Sequence, residues 1–240
     1  MKRLISVAVL LVLVAGVTCP ASADMQVQIY DDIGNGNGGA FNVYVRGTES
    51  VGVYAVDKNF QSFCVETNEY FNLGGTYSVL ISPKAVYNEV KKGEDPLDPR
   101  TAYLYSKWLG IDGFGPFTHN ATIATDVQKA IWYIENEAGG VNNAYVTEAN
   151  TAVLPTGAWY VTWGDTGPTS VNLGHIRVLN VFTLGHASYE SGWNYRQQDQ
   201  LVQVPSGFPG QIVPVPAAVV LGGKTARNLN QLVLLAIIPP

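Results

Sequence analysis

Residues 120–138, NATIATDVQKAIWYIENEA, carry the clearest helical periodicity in the chain. Apolar side chains recur along this stretch at intervals of three and four residues, which is typical of a helix with one buried face. Gln128 lies at the edge of that face, one turn from Ala124 and one turn from Trp132. The pattern therefore predicts an amphipathic helix that ends at the glycine pair 139–140 and holds one amide at its buried border. The members of the apolar stripe are Ile123, Val127, Ala130, Ile131 and Ile134.

Strand patterns lie on both sides of this helical region. Two shorter helical patterns precede it, at residues 83–92 and 100–109. Segregated elements of this kind are typical of an α+β fold. We therefore predict a β-rich, sandwich-like or barrel-like domain with a central helical segment that carries Gln128. The predicted strands are residues 25–30, 41–46, 52–56, 60–67, 76–81, 158–163, 175–184 and 200–204.

Composition excludes several classes of protein. The chain has 240 residues, of which 47% are hydrophobic and 14% charged, so it has enough apolar surface for a packed core. Its formal net charge is −5 and no cluster of Lys and Arg is present, which argues against nucleic-acid binding. The three histidines lack the paired spacing of metal ligands. We therefore predict no metal site and no cofactor.

The N-terminus has the order of regions found in a secretory signal peptide. Lys2 and Arg3 are followed by an apolar run over residues 4–17 and by the small-residue sequence Ala21-Ser22-Ala23. The run is shorter than the ~20 residues that a membrane span needs. We predict cleavage after Ala23. The competing prediction is a lipoprotein signal with Cys19 as the lipidated residue, but Thr18 stands where such signals have Gly or Ala.

Cleavage would leave Cys64 as the one cysteine, which excludes an internal disulfide. A lone thiol is a liability in an oxidising compartment. Three interpretations stay open: an inert buried cysteine, a catalytic nucleophile, or a sulfur used in another covalent bond. Alternation within the strand predicted at 60–67 places Phe63 and Val65 on one face and Cys64 on the other, with Ser62 and Glu66.

Two short motifs resemble the thioester domains of bacterial surface adhesins. That family has an aromatic-Cys-aliphatic strand, which Phe63-Cys64-Val65 matches, and a Gln-x-Ala-Ile-Trp helix. The helix motif is matched at every fixed position by Gln128, Ala130, Ile131 and Trp132. The resemblance covers about residues 40–205. Val127 stands where the family often has Thr.

The resemblance implies an intramolecular thioester between Cys64 and Gln128. Such a bond is an electrophile that an amine or hydroxyl on a surface protein or glycan can attack, so that the target becomes attached to Gln128. The reaction happens once per molecule, and the chain is therefore not expected to be an enzyme. In this interpretation Trp132 shields the bond from water, and His119, just before the helix, assists as a base.

The C-terminal region resembles the Pro-Glu-Pro sorting tail of exported proteins from biofilm-forming Gram-negative bacteria. Residues 213–223 read VPVPAAVVLGG, with Val215 in place of the usual Glu and without a basic cluster at the end of the chain. The resemblance implies an exported protein at the cell surface or in the extracellular matrix. Its C-terminal tail would contact a membrane or an export-sorting machinery. The predicted organisation is a signal peptide at 1–23, a thioester-type domain at 24–205 and a Pro/Gly-rich linker and apolar tail at 206–240.

Two other functions compete with this interpretation. One is an enzyme with Cys64 as nucleophile and His119, His175 or His186 as base. None of the usual cysteine-protease signatures surrounds Cys64, and the sequence contains no Gly-x-Ser-x-Gly. The other is a non-covalent extracellular matrix or glycan-binding domain in which Cys64 is a buried free thiol.

Overall fold

The computed structural model describes residues 25–34, 38–67, 69–85, 95–153, 162–164, 167–170, 173–186 and 193–208. The predicted signal peptide with its cleavage site at Ala23, the alternative lipidation site Cys19 and the tail from residue 209 lie outside these ranges. No helix in the described ranges is long and apolar enough to cross a membrane.

The described residues form ten strands and three α-helices, arranged as the predicted α+β, β-rich fold. The strands are β1 (Met25–Gly34), β2 (Gly39–Gly47), β3 (Asn59–Ser62), β4 (Thr76–Ser82), β5 (Lys84–Ala85), β6 (Asp95–Pro96), β7 (Thr162–Gly164), β8 (Gly167–Ser170), β9 (Ile176–Thr183) and β10 (Arg196–Gln203). The helices are α1 (Pro99–Leu109), α2 (Ala121–Ile134) and α3 (Ala144–Ala152).

Six strands form one antiparallel sheet in the order β10-β9-β4-β1-β2-β3. The two outer strands meet through the residues that follow β3. Val65 N–H donates to Asp199 O at 2.9 Å, and Leu201 N–H donates to Phe63 O at 3.1 Å. Between these bonds, Cys64 and Gln200 form an antiparallel bridge. The sheet therefore closes into a barrel, which removes the exposed edges of an open sheet.

Alternation along the strands divides the apolar side chains between two cores. One core fills the barrel and includes Val27, Ile29, Val43, Val45, Val79, Val181 and Val202. The other lies between the outer wall of the barrel and the helices, and includes Phe63, Val65, Leu104, Trp108, Val127 and Ile131. Phe63 and Val65 thus face the helices, on one side of the strand as the alternation predicts.

Side-chain caps accept hydrogen bonds from the first backbone N–H groups of α1 and α2. Asp98 accepts from Arg100 N–H at the start of α1, and Asn120 accepts from Ile123 N–H at the start of α2. Helix α1 matches the prediction for 100–109. It is fixed to β3 because Tyr105 Oη donates to Gln61 O at 2.6 Å and Trp108 Nε1 donates to Gln61 Oε1 at 3.0 Å.

Helix α2 ends at Ile134, earlier than the predicted residue 138. Asn136 adopts a left-handed φ of 62°. Glu137 N–H donates to Trp132 O at 2.7 Å, and Asn136 N–H donates to Tyr133 O at 3.3 Å. This Schellman arrangement satisfies the last carbonyls of the helix before the glycine pair is reached.

Three local predictions were wrong. Residues 52–56 form a turn, because Gly52 has a φ of 62° and Val51 pairs with Tyr54 across it. A helix was predicted at residues 83–92, but Lys84 and Ala85 form strand β5, which pairs with β6. Residues 86–92 lie outside the described ranges. The strand predicted at 60–67 ends at Ser62. Helix α3 was not predicted.

Candidate functional site

Cys64 lies two residues beyond the end of β3, in the segment that closes the barrel. It is a free cysteine with 1% of its surface exposed. Phe63 packs edge-on against Trp108, with ring centroids 5.0 Å apart, and so fixes this segment to α1. Ser62 adds a second attachment, since its Oγ donates to Leu201 O at 2.7 Å and accepts from Leu201 N–H at 2.9 Å. The backbone that carries the thiol is therefore held from both sides.

Gln128 lies on the buried face of α2 and has no exposed surface. Its Oε1 accepts from Cys64 N–H at 2.9 Å, and its Nε2 donates to Cys64 O at 2.7 Å. The ladder between β2 and β3 stops at the pair Phe41–Ser62, so the carboxamide takes the place of a strand partner for Cys64. The structure thus brings together the two residues that the motifs single out.

Gly38, next to the start of β2 in the β1–β2 hairpin, lies against Gln128. Gly38 has a φ of 114°, and a Cβ built on it would lie 2.9 Å from Gln128 Cγ and 3.2 Å from the nearest atom of the Trp132 ring. Thr125 Oγ1, one turn before Gln128, donates to Gly38 O at 3.4 Å. Because Gly38 has no side chain, its backbone can lie directly against the glutamine.

A cleft of about 570 Å³ leads from the surface to Cys64. Its aromatic walls are Phe41, Tyr70 and Trp132, and Lys129 lies at its side. Tyr70 is 79% exposed, whereas Trp132 is half-buried and its Nε1 has no hydrogen-bond partner among the described residues. Cys64 is therefore buried but borders an open cleft.

Acidic side chains surround the segment after Cys64. Glu66 is 3% exposed, and burial, the charge of Asp199 and the nearby Glu69 raise its pKa. Burial also raises the pKa of Glu69. Glu137 fixes this segment to the end of α2, since its Oε2 accepts from Thr67 N–H at 3.1 Å and from Thr67 Oγ1 at 3.0 Å.

The raised pKa of Glu66 predicts that the protein loses stability as pH rises above the ordinary value of 4.5. Above its ordinary pKa the unfolded carboxyl group ionises and so gains stability, while the folded group, whose pKa is higher, stays protonated, and the free energy of unfolding therefore falls as pH rises towards the folded pKa. Glu66→Gln keeps a neutral side chain of the same shape at every pH. We expect E66Q to raise the melting temperature at about pH 8 and to leave it unchanged at about pH 4.

Thermal unfolding followed by circular dichroism at both pH values tests this expectation. Glu49→Gln, at an exposed position, controls for the loss of one negative charge. Equal melting temperatures for wild type and E66Q at the higher pH would show that the fold does not raise the pKa of Glu66.

The Cys64 thiol has a pKa well above its usual range. Burial is the largest cause, and the neighbouring carboxyl groups of Glu66 and Asp199 add to it, while a hydrogen bond from Gln200 acts in the opposite direction. Gln200 Nε2 donates to Cys64 Sγ at 3.1 Å. A free thiol here is protonated at neutral pH, which is unlike the ionised thiol that a cysteine nucleophile uses for turnover.

The structure places the three histidines in other contacts. His119 stacks on Trp108 with ring centroids 4.0 Å apart, and its Nε2 lies 2.9 Å from Trp108 O. It precedes α2, so about 10 Å of helix separates it from Gln128. His175 contacts Asp112 and Ser206, and His186 stacks on Tyr195. None of these contacts includes Cys64.

Within the described ranges, no group of three or more His, Cys, Asp and Glu residues is arranged to hold a metal ion. Two residues of the site were not singled out from the sequence, namely Gly38 and Gln200. Their contacts with Gln128 and Cys64 depend on the hairpin and on the closure of the barrel.

No family model and no curated protein matches the chain. A similar solved structure is the N-terminal thioester domain of fibronectin-binding protein SfbI from Streptococcus pyogenes. It is 15% identical, and the match covers 78% of this chain and 97% of that chain with a TM-score of 0.40.

Proposed function

We propose that Cys64 and Gln128 join in an intramolecular thioester, and that this chain is an exported surface protein that attaches through it to amine or hydroxyl groups of a target. The observation that carries the proposal is the pair of hydrogen bonds that sets the Gln128 carboxamide against the backbone of Cys64, at 2.9 and 2.7 Å. Both residues are buried, and Cys64 borders a cleft. Export rests on the signal-peptide pattern of residues 1–23.

Thioester formation is a balanced exchange between two side chains. The Cys64 sulfur attacks the Gln128 carboxamide carbon, the new S–C bond forms, the C–N bond breaks, and the nitrogen leaves with the thiol proton as ammonia. Because an amide is normally the more stable acyl group, the fold must supply the driving force through positioning. Well-oriented intramolecular reactions gain up to ~7–11 kcal/mol in this way.

The main-chain N–H of Cys64 favours this reaction at Gln128. Negative charge develops on Gln128 Oε1 when the sulfur adds to the carbon, and that oxygen already accepts from Cys64 N–H. A fixed donor at a developing oxyanion stabilises the transition state. By contrast, Gln200 Oε1 is buried without a hydrogen-bond partner among the described residues, so its carbonyl is not activated. The geometry therefore favours Gln128 over Gln200 as the acyl donor.

The same site supports a single attachment to a target. An incoming amine attacks the thioester carbon, an amide to Gln128 forms, and the Cys64 sulfur leaves and takes up a proton; a hydroxyl gives the corresponding ester. The cleft beside Cys64 provides the approach, and Trp132 at its wall limits the access of water. Since Gln128 ends as an amide or ester of the target, the chain does not turn over.

Methylamine tests this chemistry directly. We expect the folded, mature protein to show no titratable thiol until methylamine is added, and one thiol afterwards. Peptide mapping should place the methylamide on Gln128 and leave the nearby Gln198 and Gln200 unmodified. A freely titratable Cys64 in folded protein before amine is added would refute the proposal.

The cleft also supports a second candidate, a non-covalent domain with a buried free thiol that binds glycans or matrix components. Phe41, Tyr70 and Trp132 give the cleft an aromatic lining suited to stacking on a sugar ring. Under this alternative, binding to the target would survive Cys64→Ala, and the methylamine experiment would show no new thiol. Loss of target capture in C64A favours the thioester.

A further inference from the structure

Gln200 is the second glutamine at the Cys64 thiol, and it approaches from the opposite side of the segment to Gln128. It has no exposed surface and lies across the barrel closure from Cys64. The two main-chain bonds on either side of this bridge, from Val65 to Asp199 and from Leu201 to Phe63, fix the register. Its Nε2 is 3.1 Å from Cys64 Sγ. The contact is thus built into the closure of the barrel.

The neighbours of the Gln200 amide decide which of its ends faces the sulfur. Besides Cys64 Sγ, Nε2 lies 3.3 Å from Asp199 O and 3.4 Å from Gln198 O. Two carbonyl oxygens at that position attract an NH₂ group and would repel an oxygen. The sulfur therefore receives an N–H donor.

This arrangement is costly for the fold. Gln200 Oε1 is buried with no hydrogen-bond partner among the described residues, and a buried unpaired acceptor destabilises the folded state. An apolar side chain of similar volume would avoid that loss. A buried polar group that is only half satisfied calls for a functional explanation, and its satisfied half points at the reactive sulfur.

We propose that Gln200 orients the Cys64 sulfur and stabilises its thiolate, and so accelerates both the formation and the opening of the thioester. This inference rests on the proposed function for its role in the reaction. In formation, the attacking sulfur becomes nucleophilic as it loses its proton. In opening, the same sulfur leaves with the electron pair of the S–C bond. Hydrogen bonds to a charged acceptor are stronger than those to a neutral one, so the donor favours both steps.

The surroundings of the sulfur make this donor important. Burial of the thiol and the neighbouring carboxyl groups of Glu66 and Asp199 act against a thiolate, while the Gln200 hydrogen bond acts for it. Without Gln200, the sulfur would keep the unfavourable surroundings and lose the contact that opposes them.

A test in the Gln128→Ala background separates this inference from the proposed function. Without Gln128 no thioester with that residue can form, so Cys64 is a free thiol whether or not the wild-type bond exists. We compare the rate of alkylation by iodoacetamide in Q128A, in Q128A with Gln200→Met, and in Q128A with Gln197→Met. Gln197 is the matched control, because it lies on the same strand and its amide donates to Arg196 O at 2.7 Å.

We expect Gln200→Met to slow alkylation by about tenfold, as for a rise of one pKa unit in the thiol, with the rate still increasing with pH. Gln197→Met should leave the rate unchanged. With Gln128 present, Gln200→Met should slow thioester opening by methylamine to a similar degree. If Q200M does not fold, Gln200→Asn keeps a buried amide that is too short to reach the sulfur and should give the same loss.

The decisive comparison is between folded Q128A and a folded double variant that adds Gln200→Met or Gln200→Asn. Equal alkylation rates in these two proteins would overturn the inference. Slower alkylation in the double variants would support it even if wild-type protein carries no thioester. In that case the proposed function fails, and Gln200 acts only on a free thiol.

Discussion

The measured mass of the mature protein should be lower than the mass calculated from its sequence by one molecule of ammonia. The contact between the Gln128 carboxamide and the Cys64 backbone is the reason, because it holds both partners of the exchange in one buried site. The loss should vanish in Cys64→Ala and in Gln128→Ala, since each removes one side of the bond. Intact-mass spectrometry of freshly purified, folded protein measures it.

Gln128→Glu is the sharper variant in this series. It keeps the length and shape of the side chain, but a carboxylate is a poor acyl donor to a thiol and repels the negative sulfur. We therefore expect the Q128E protein to show a free thiol and the full mass of its sequence. Gln203→Glu changes the same type of residue on β10, where the side-chain oxygen accepts from Tyr54 Oη as a carboxylate also can, and should keep the ammonia loss. A wild-type protein of full mass would end the thioester proposal.

Folding should come before the cross-link. Proximity-driven chemistry requires that the barrel and α2 bring Cys64 and Gln128 together first. C64A and Q128A should consequently fold, with melting temperatures only modestly below that of the wild-type protein. The barrel closure through Val65 and Leu201 does not depend on either side chain.

The position of Gln128 could be predicted because it follows from local periodicity. An amphipathic helix fixes which residues face the core, and Gln128 lies within one turn of Ala124 on that face. The strand pattern likewise separated Phe63 and Val65 from Cys64. The end of the helix could not be placed as well, since the left-handed turn at Asn136 competes with the more familiar glycine signal at 139–140.

Gly38 and Gln200 could not be found in this way, because their roles depend on contacts between distant parts of the chain. Gln200 meets Cys64 across 136 residues of sequence, through a register that only the closed barrel sets. Gly38 meets Gln128 because the β1–β2 hairpin folds over α2. Alternation predicts a strand and its two faces, but it does not identify the strand's neighbour.

Gly38→Ala should strongly reduce the fraction of protein that carries the thioester. The added Cβ would lie 2.9 Å from Gln128 Cγ, and Gln128 cannot retreat without breaking its two hydrogen bonds to Cys64. The φ of 114° adds backbone strain for any L side chain.

Gly113→Ala is the matched control, since Gly113 also has a positive φ, of 83°, but a Cβ there would meet no atom within 4 Å. We expect intact mass to show at least a ~10-fold lower ratio of cross-linked to free protein in G38A, equivalent to about 1.4 kcal/mol of lost positioning, and the wild-type ratio in G113A. If G38A kept the full loss of ammonia, the hairpin backbone would not be what holds Gln128 in place, and positioning by Cys64 alone would account for the site.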